Sequence, residues 1–359
     1  MLHDLLVPLS PYWGAFNVFR YITFRTAMAA VTAVIISFVL GPWVIERLRR
    51  MQRGGDTIRE DTPERHRTKA GTPTMGGLVI LAALLISTLL WTNLHNRYVW
   101  VLLFATTGLG LIGLQDDWEK LKTRRGISAK KKFGMQILLV GLLVSWLYVL
   151  PPDGFTTSLV IPFLKGWLLH LGWLWIPFTL LVIVGASNAV NLTDGLDGLA
   201  IGPIITAGGA FAVIAYLTGN FKAAEYLRIV NVKGTGELTV FCGALVGAAV
   251  GFLWFNSYPA QVFMGDVGSL ALGGAIGTLA VLTKAELLLP LIGGIYVVEA
   301  ASVIIQVVSF KFFGRRVFRM APLHHHYEMK GWAEPKIIVR FWILSFMMAL
   351  LALTTLKLR

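Results

Sequence analysis

Long apolar runs alternate with short polar breaks along the whole chain. About 20 consecutive apolar residues carry a helix across the hydrocarbon core of a bilayer. Ten runs qualify: 24–45, 75–93, 98–114, 133–150, 173–190, 198–218, 238–255, 269–283, 287–310 and 338–356. The eighth is short and glycine-rich, which predicts a helix tilted against its neighbours or broken. The pattern predicts an all-α, polytopic membrane protein, with residues 1–359 forming one membrane domain. The first 20 residues read as an amphipathic or extended lead-in, lacking the charged, apolar and small-residue regions of a signal peptide. The stretch 155–170 predicts a short hairpin or an interfacial helix.

Composition sharpens this picture: 56% of the residues are hydrophobic and 14% charged, with a mean hydropathy of +0.69. Ten spans place the breaks 46–74, 115–132, 191–197, 256–268 and 311–340 on one side, and these hold 22 of the 32 Lys and Arg residues. By the positive-inside rule that side is cytoplasmic, and both termini are expected outside. The net charge of +13 is then mostly a topology signal that also draws this face toward anionic headgroups. No soluble basic domain exists to hold nucleic acid. Cys242 is the sole cysteine and lies inside an apolar run, which excludes disulfides and cysteine metal clusters within one chain.

Two of the breaks, 191–197 and 256–268, contain no Lys or Arg, yet they carry Asp194, Asp197 and Asp266. A third carries the adjacent pair Asp116-Asp117. Carboxylates at a membrane border are costly, and their repetition on one side suggests a single site. Adjacent carboxylates at a helix end can hold a divalent cation or act as a base; the same pair can also be a solvated cap. The run Asn191-Leu-Thr-Asp194-Gly-Leu-Asp197-Gly is a turn that could accept hydrogen bonds from sugar hydroxyls or a pyrimidine edge, hold a metal, or serve as capping chemistry. If helical, it puts Asp194 and Asp197 on one face. In Phe263-Met-Gly-Asp266-Val-Gly-Ser269, Asp266 suits Mg²⁺ and Phe263 could stack on a base, although alone the segment reads as packing.

His324-His325-His326 cannot all face one zinc on a regular helix, and adjacent histidines suit phosphate hydrogen bonding better. Lys69 and Thr74 precede the second span, placed to reach a phosphate, whereas Arg65, Arg67 and the Lys130–Lys132 run read as membrane anchoring. Glu299 lies within the ninth span with Gln306 seven residues on; it reads equally as a functional acid or as a neutral group bonded to a neighbouring helix.

Taken in order, Asp116-Asp117, Asn-Leu-Thr-Asp-Gly-Leu-Asp-Gly, Phe-Met-Gly-Asp-Val-Gly-Ser and Pro-Leu-His-His-His-Tyr-Glu resemble the polyprenyl-phosphate N-acetylhexosamine-1-phosphate transferase superfamily. The last motif, with Gly-Thr-Pro-Thr-Met-Gly-Gly at 71–77, narrows the resemblance to its phospho-N-acetylmuramoyl-pentapeptide transferase branch. It runs from about residue 15 to the end, with one local departure at Gln115, where an apolar residue is expected.

The resemblance implies a ten-helix enzyme of the bacterial inner membrane, a homodimer with its site facing the cytoplasm. Its substrates would be UDP-MurNAc-pentapeptide and undecaprenyl phosphate, its products lipid I and UMP, and its cofactor Mg²⁺. Asp116, Asp117, Asp266 and His325 would be catalytic, with Asp266 and Asp117 on the metal. Asn191, Asp194, Gly195, Leu196, Asp197 and Phe263 would surround uridine and its neighbours, with Asn188, Asn256 and Thr74 as further substrate contacts. Lys69, Gln306, His324 and His326 would hold phosphate or sugar. The sequence leaves direct attack and a covalent phospho-enzyme both open. The alternatives are a sister transferase using UDP-GlcNAc and, from another class, a secondary transporter. A transporter site, however, is expected near the midplane between internal repeats, and no repeat is visible here.

Overall fold

The computed structural model describes residues 1–52, 71–123, 125–162 and 167–357. Ten helices answer to the ten apolar runs: α1 (Ile22–Gln52), α2 (Gly77–Trp91), α3 (Arg97–Thr123), α4 (Ala129–Val149), α5 (Trp175–Thr193), α6 (Ile201–Gly219), α7 (Leu238–Asn256), α8 (Gly265–Leu282), α9 (Gly294–Phe313) and α10 (Glu334–Thr354). One contiguous buried cluster draws apolar side chains from all ten. Among the described residues, nine apolar segments containing these helices are long enough to cross a membrane; α2, with 15 residues, is the short one.

The eighth run is not broken. Helix α8 is unbroken over 18 residues and is the bundle's axis, packed on α2, α3, α5 and α6. Its small residues let those neighbours approach closely, as is usual between membrane helices. A Cβ on Gly77 of α2 would land on the backbone of Gly268, and one on Gly113 of α3 would land on the carbonyl of Asp266. The shortening falls on α2, because residues 73–76 are drawn into backbone hydrogen bonds with the segment before α8.

Other boundaries shift for local reasons. Helix α1 continues past its apolar run, and Arg50 pairs with Glu46 at 2.9 Å one turn back. Helix α3 runs on to Thr123, so Asp116-Asp117 lie inside a helix and not at its end. The ninth run is split into a turn of helix, Leu289–Ile292, and α9, with Gly293 and Gly294 at the junction. The lead-in forms short helical turns, Leu2–Leu6, Val7–Leu9 and Gly14–Arg20. The stretch 155–170 is a hairpin: β1 (Leu159–Val160) pairs antiparallel with β2 (Leu168–Leu169).

At the end of the bundle away from the aspartates, Arg25 makes a bidentate ion pair with Glu237 at 2.7 and 2.6 Å. Glu237 also accepts the Asn93 N–H at 3.0 Å, tying α1, the α2–α3 turn and the start of α7 together.

Candidate active site

Helices α3 and α8 build the centre of the site. On α3, neighbouring residues lie about 100° apart, so adjacent carboxylates diverge and find different partners. Asp116 Oδ1 accepts the Ile127 N–H at 2.8 Å, which folds the α3–α4 turn back over the helix. Asp117 Oδ2 accepts the Val267 N–H at 3.1 Å, one of the free amides in the first turn of α8. Asp266 stands in that same first turn. Its Oδ1 accepts from Asn191 Nδ2 at 3.0 Å, and Asn191 also donates to Ser269 Oγ at 2.8 Å.

Two lysines close the cluster. Lys120, one turn beyond the pair on α3, places Nζ 2.8 Å from Asp116, 3.1 Å from Asp117 and 3.1 Å from Asp266. Lys132, from the first turn of α4, reaches Asp116 at 3.4 Å and also pairs with Asp266. Its reading as a membrane anchor is therefore corrected: the ammonium turns inward to carboxylates. The Lys120 contact was legible in outline from its i+3 and i+4 spacing to the acidic pair. Lys132 was not, because anchoring and site chemistry use the same residue type.

Asp116, Asp117 and Asp266 each offer one oxygen, and these oxygens lie within 4.8 Å of one another. An all-carboxylate donor set without His or Cys fits a hard divalent cation such as Mg²⁺.

Comparison with known proteins agrees with this arrangement. Residues 99–284, which hold both halves of the acidic cluster, match the family model for glycosyl transferase family 4, and residues 69–81 match signature 1 of phospho-N-acetylmuramoyl-pentapeptide-transferase. Proteins of that name from Syntrophus aciditrophicus, Pelobacter propionicus and Granulibacter bethesdensis are 57%, 55% and 57% identical to this chain, each over all of both sequences. The chain belongs to the phospho-N-acetylmuramoyl-pentapeptide transferase family.

Membership in this family, with the apolar helices, makes it a multi-pass membrane transferase. The described part of the signature segment docks on the site: Gly76 and Gly77 donate to the Phe263 and Met264 carbonyls, both at 2.8 Å, and Phe263 N–H donates to Pro73 at 2.8 Å. Gln52, the last residue of α1, clamps Thr74 through both backbone groups, at 3.0 and 3.2 Å. Lys69 lies outside the described residues.

The turn after α5 divides its acids. Residues 194–200 form turns, not helix, so Asp194 and Asp197 do not share a helical face. Asp194 is half-buried; burial, with the nearby Asp266 and Asp117 carboxylates, pushes it up to about 8. Asp197 is buried, its carboxylate accepting Ala260 N–H at 3.0 Å and its own N–H donating to Glu334 at 3.1 Å. Asn256 accepts Gly198 N–H at 3.0 Å and donates to the Val262 carbonyl at 2.9 Å. Leu196 joins an apolar cluster with Leu199, Ile295, Ile338 and Phe341. Asn188 donates to Gln136 at 2.7 Å on α4.

The three histidines occupy the short helix Leu323–Glu328 and face three ways. His324 meets Glu299 at 3.1 Å, His325 meets Glu328 at 2.6 Å, and His326 Nδ1 accepts Arg319 N–H at 3.1 Å. Gln306 uses its amide on the preceding loop, accepting from Val317 and Phe318 and donating to the Phe318 carbonyl.

Proposed function

We propose that this chain moves phospho-MurNAc-pentapeptide from UDP-MurNAc-pentapeptide to undecaprenyl phosphate, giving lipid I and UMP, at the cytoplasmic border of the bacterial inner membrane. The observation that carries the reading is the joining of Asp116-Asp117 with Asp266, with Lys120 on all three carboxylates and Lys132 on Asp116 and Asp266, in a chain of this family. A border site serves an anionic nucleotide from the water and a phosphate on a lipid. The basic loops support a cytoplasmic position for that border, and the working unit is taken to be a homodimer.

An oxygen of the acceptor phosphate forms a bond to the sugar-linked phosphorus. The bond to the bridging oxygen breaks, and UMP leaves with the electron pair. Both reactants are anionic, so charge repulsion is the main barrier the protein must lower. Lys120 and Lys132 supply fixed positive charge beside the reacting phosphates, and Asp116 orients Lys120. Asp117 and Asp266, joined by Asp116, would hold Mg²⁺, which supplies Lewis-acid charge neutralisation when bound. A phosphate monoester has its second pKa at about 6, so a carboxylate base contributes less than positioning does. Asn191, Asp194, Gly195 and Phe263 face the uridine end. Leu196, Asp197, Asn188, Asn256 and Gln306 shape the loops that carry that surface, and the histidine helix, with His325 foremost, lies toward phosphate and sugar.

The test is UMP release by purified enzyme in detergent with undecaprenyl phosphate and Mg²⁺, comparing UDP-MurNAc-pentapeptide with UDP-GlcNAc and with EDTA added. Lipid-dependent, EDTA-sensitive UMP from the muramoyl donor alone is the expected result. Turnover with UDP-GlcNAc alone would assign the chain to the sister chemistry.

A further inference from the structure

Glu299 is fully buried in α9, and none of the chemistry above uses it. Its two carboxylate oxygens are both spent on one residue: Oε1 accepts the backbone N–H of His324 at 3.1 Å, and Oε2 meets His324 Nδ1 at 3.1 Å. His324 is likewise fully buried. Its other nitrogen, Nε2, is buried with no hydrogen-bond partner among the described residues. That nitrogen is directed at Gly195, where a Cβ would overlap the imidazole. The ring also packs against that of His325, with ring centroids 4.2 Å apart.

We infer that Glu299 is a positioning residue for donor binding, holding His324 as the Nδ1–H tautomer so that its Nε2 edge seats the Asp194–Gly195 turn. A buried carboxylate accepting from Nδ1–H fixes which nitrogen carries the proton and how the ring is turned. The proton-free Nε2 edge can lie against the Gly195 backbone; an N–H there would press a donor on a carbon. Glu299 thus sets, through one ring, the spacing between the turn on the uridine side and the helix bearing His325. It sits in the membrane because both elements it aligns converge there, on α9 from one side and α5 from the other. This inference rests on the reading that the Asp194–Gly195 turn meets the donor.

Two substitutions approach the contact from opposite ends. In Glu299→Gln the amide oxygen still accepts His324 N–H, but the amide nitrogen faces Nδ1 and moves the ring proton to Nε2. In Gly195→Ala both members of the Glu299–His324 pair keep their chemical groups, and the added methyl displaces the ring from the other side. Both should raise KM for UDP-MurNAc-pentapeptide by ~10-fold or more and leave KM for undecaprenyl phosphate within ~2-fold, the scale of one charge-assisted hydrogen bond. UMP binding, measured by calorimetry without turnover, should weaken in parallel. The double variant should be no worse than the weaker single variant by more than ~2-fold, as for groups acting as one unit. Loss of kcat with unchanged donor KM, equal loss for both substrates, or full-strength UMP binding in either variant would overturn the inference. If Glu299→Gln fails to fold, 15N-histidine NMR of the wild-type enzyme decides: a proton on His324 Nδ1 alone is expected, and a proton on Nε2 would overturn the inference. If the wild-type enzyme itself shows no lipid-dependent UMP release, the functional reading falls first and this inference with it.

Discussion

Lys120 lies 3.1 Å from Asp266, so the ammonium that follows the acidic pair on α3 neutralises a carboxylate on α8. With Lys132 on the same carboxylate, two ammonium groups face three carboxylates. A divalent cation and the lysines therefore compete for the same oxygens. Lys132→Met is expected to lower the Mg²⁺ concentration for half-maximal turnover several-fold while cutting kcat by about 100-fold, the scale of losing a fixed charge at a transition state. A Mg²⁺ titration of UMP release checks both directions at once.

Asp266→Asn keeps the shape and removes the charge. Turnover should fall by roughly 1,000-fold, because Lewis-acid stabilisation is worth several kcal/mol. Mn²⁺ binding followed by electron paramagnetic resonance should be lost in a protein whose thermal unfolding in detergent is little changed. Wild-type turnover in this variant would overturn the metal role.

Gly113 touches the backbone of Asp266. Gly113→Ala should destabilise the protein by about 1–3 kcal/mol, the range for overpacking a dense core. Mn²⁺ affinity should fall further than that of a surface control of equal stability, because the displaced element carries a ligand.

Buried Arg25 and partly buried Glu237 form an ion pair far from the aspartates. Arg25→Met strands a carboxylate and should cost about 3–5 kcal/mol. Replacing both partners by apolar groups should recover much of that loss. Neither change should move KM for either substrate, which steady-state kinetics on the folded fraction would show.

Much of this was legible in the sequence, for definable reasons. A membrane run announces itself by length alone, so all ten helices were found. Acids in loops without lysines stood out against the topology signal, which is why Asp194 and Asp266 were legible as candidates. What failed depended on tertiary direction. The inward turn of Lys132 follows from how α4 packs on α3 and α5, and the burial of Asp197 follows from the loop 257–264 that it supports. The glycines of the eighth run read as weakness, whereas they are contact surfaces for backbones that sequence inspection does not bring together. Glu299 was visible as an anomaly, but its partner stands 25 residues on, across a loop.

That backbone contact between α3 and α8 has a further consequence. Carboxylates hung from main chains that already touch cannot spread to admit a wider coordination sphere. Ca²⁺ takes six to eight oxygens at about 2.3–2.6 Å, whereas Mg²⁺ holds fewer protein oxygens at about 2.0–2.1 Å. For the ion proposed above, the helix crossing would thus act as a calliper, with glycines that never meet it favouring the smaller radius.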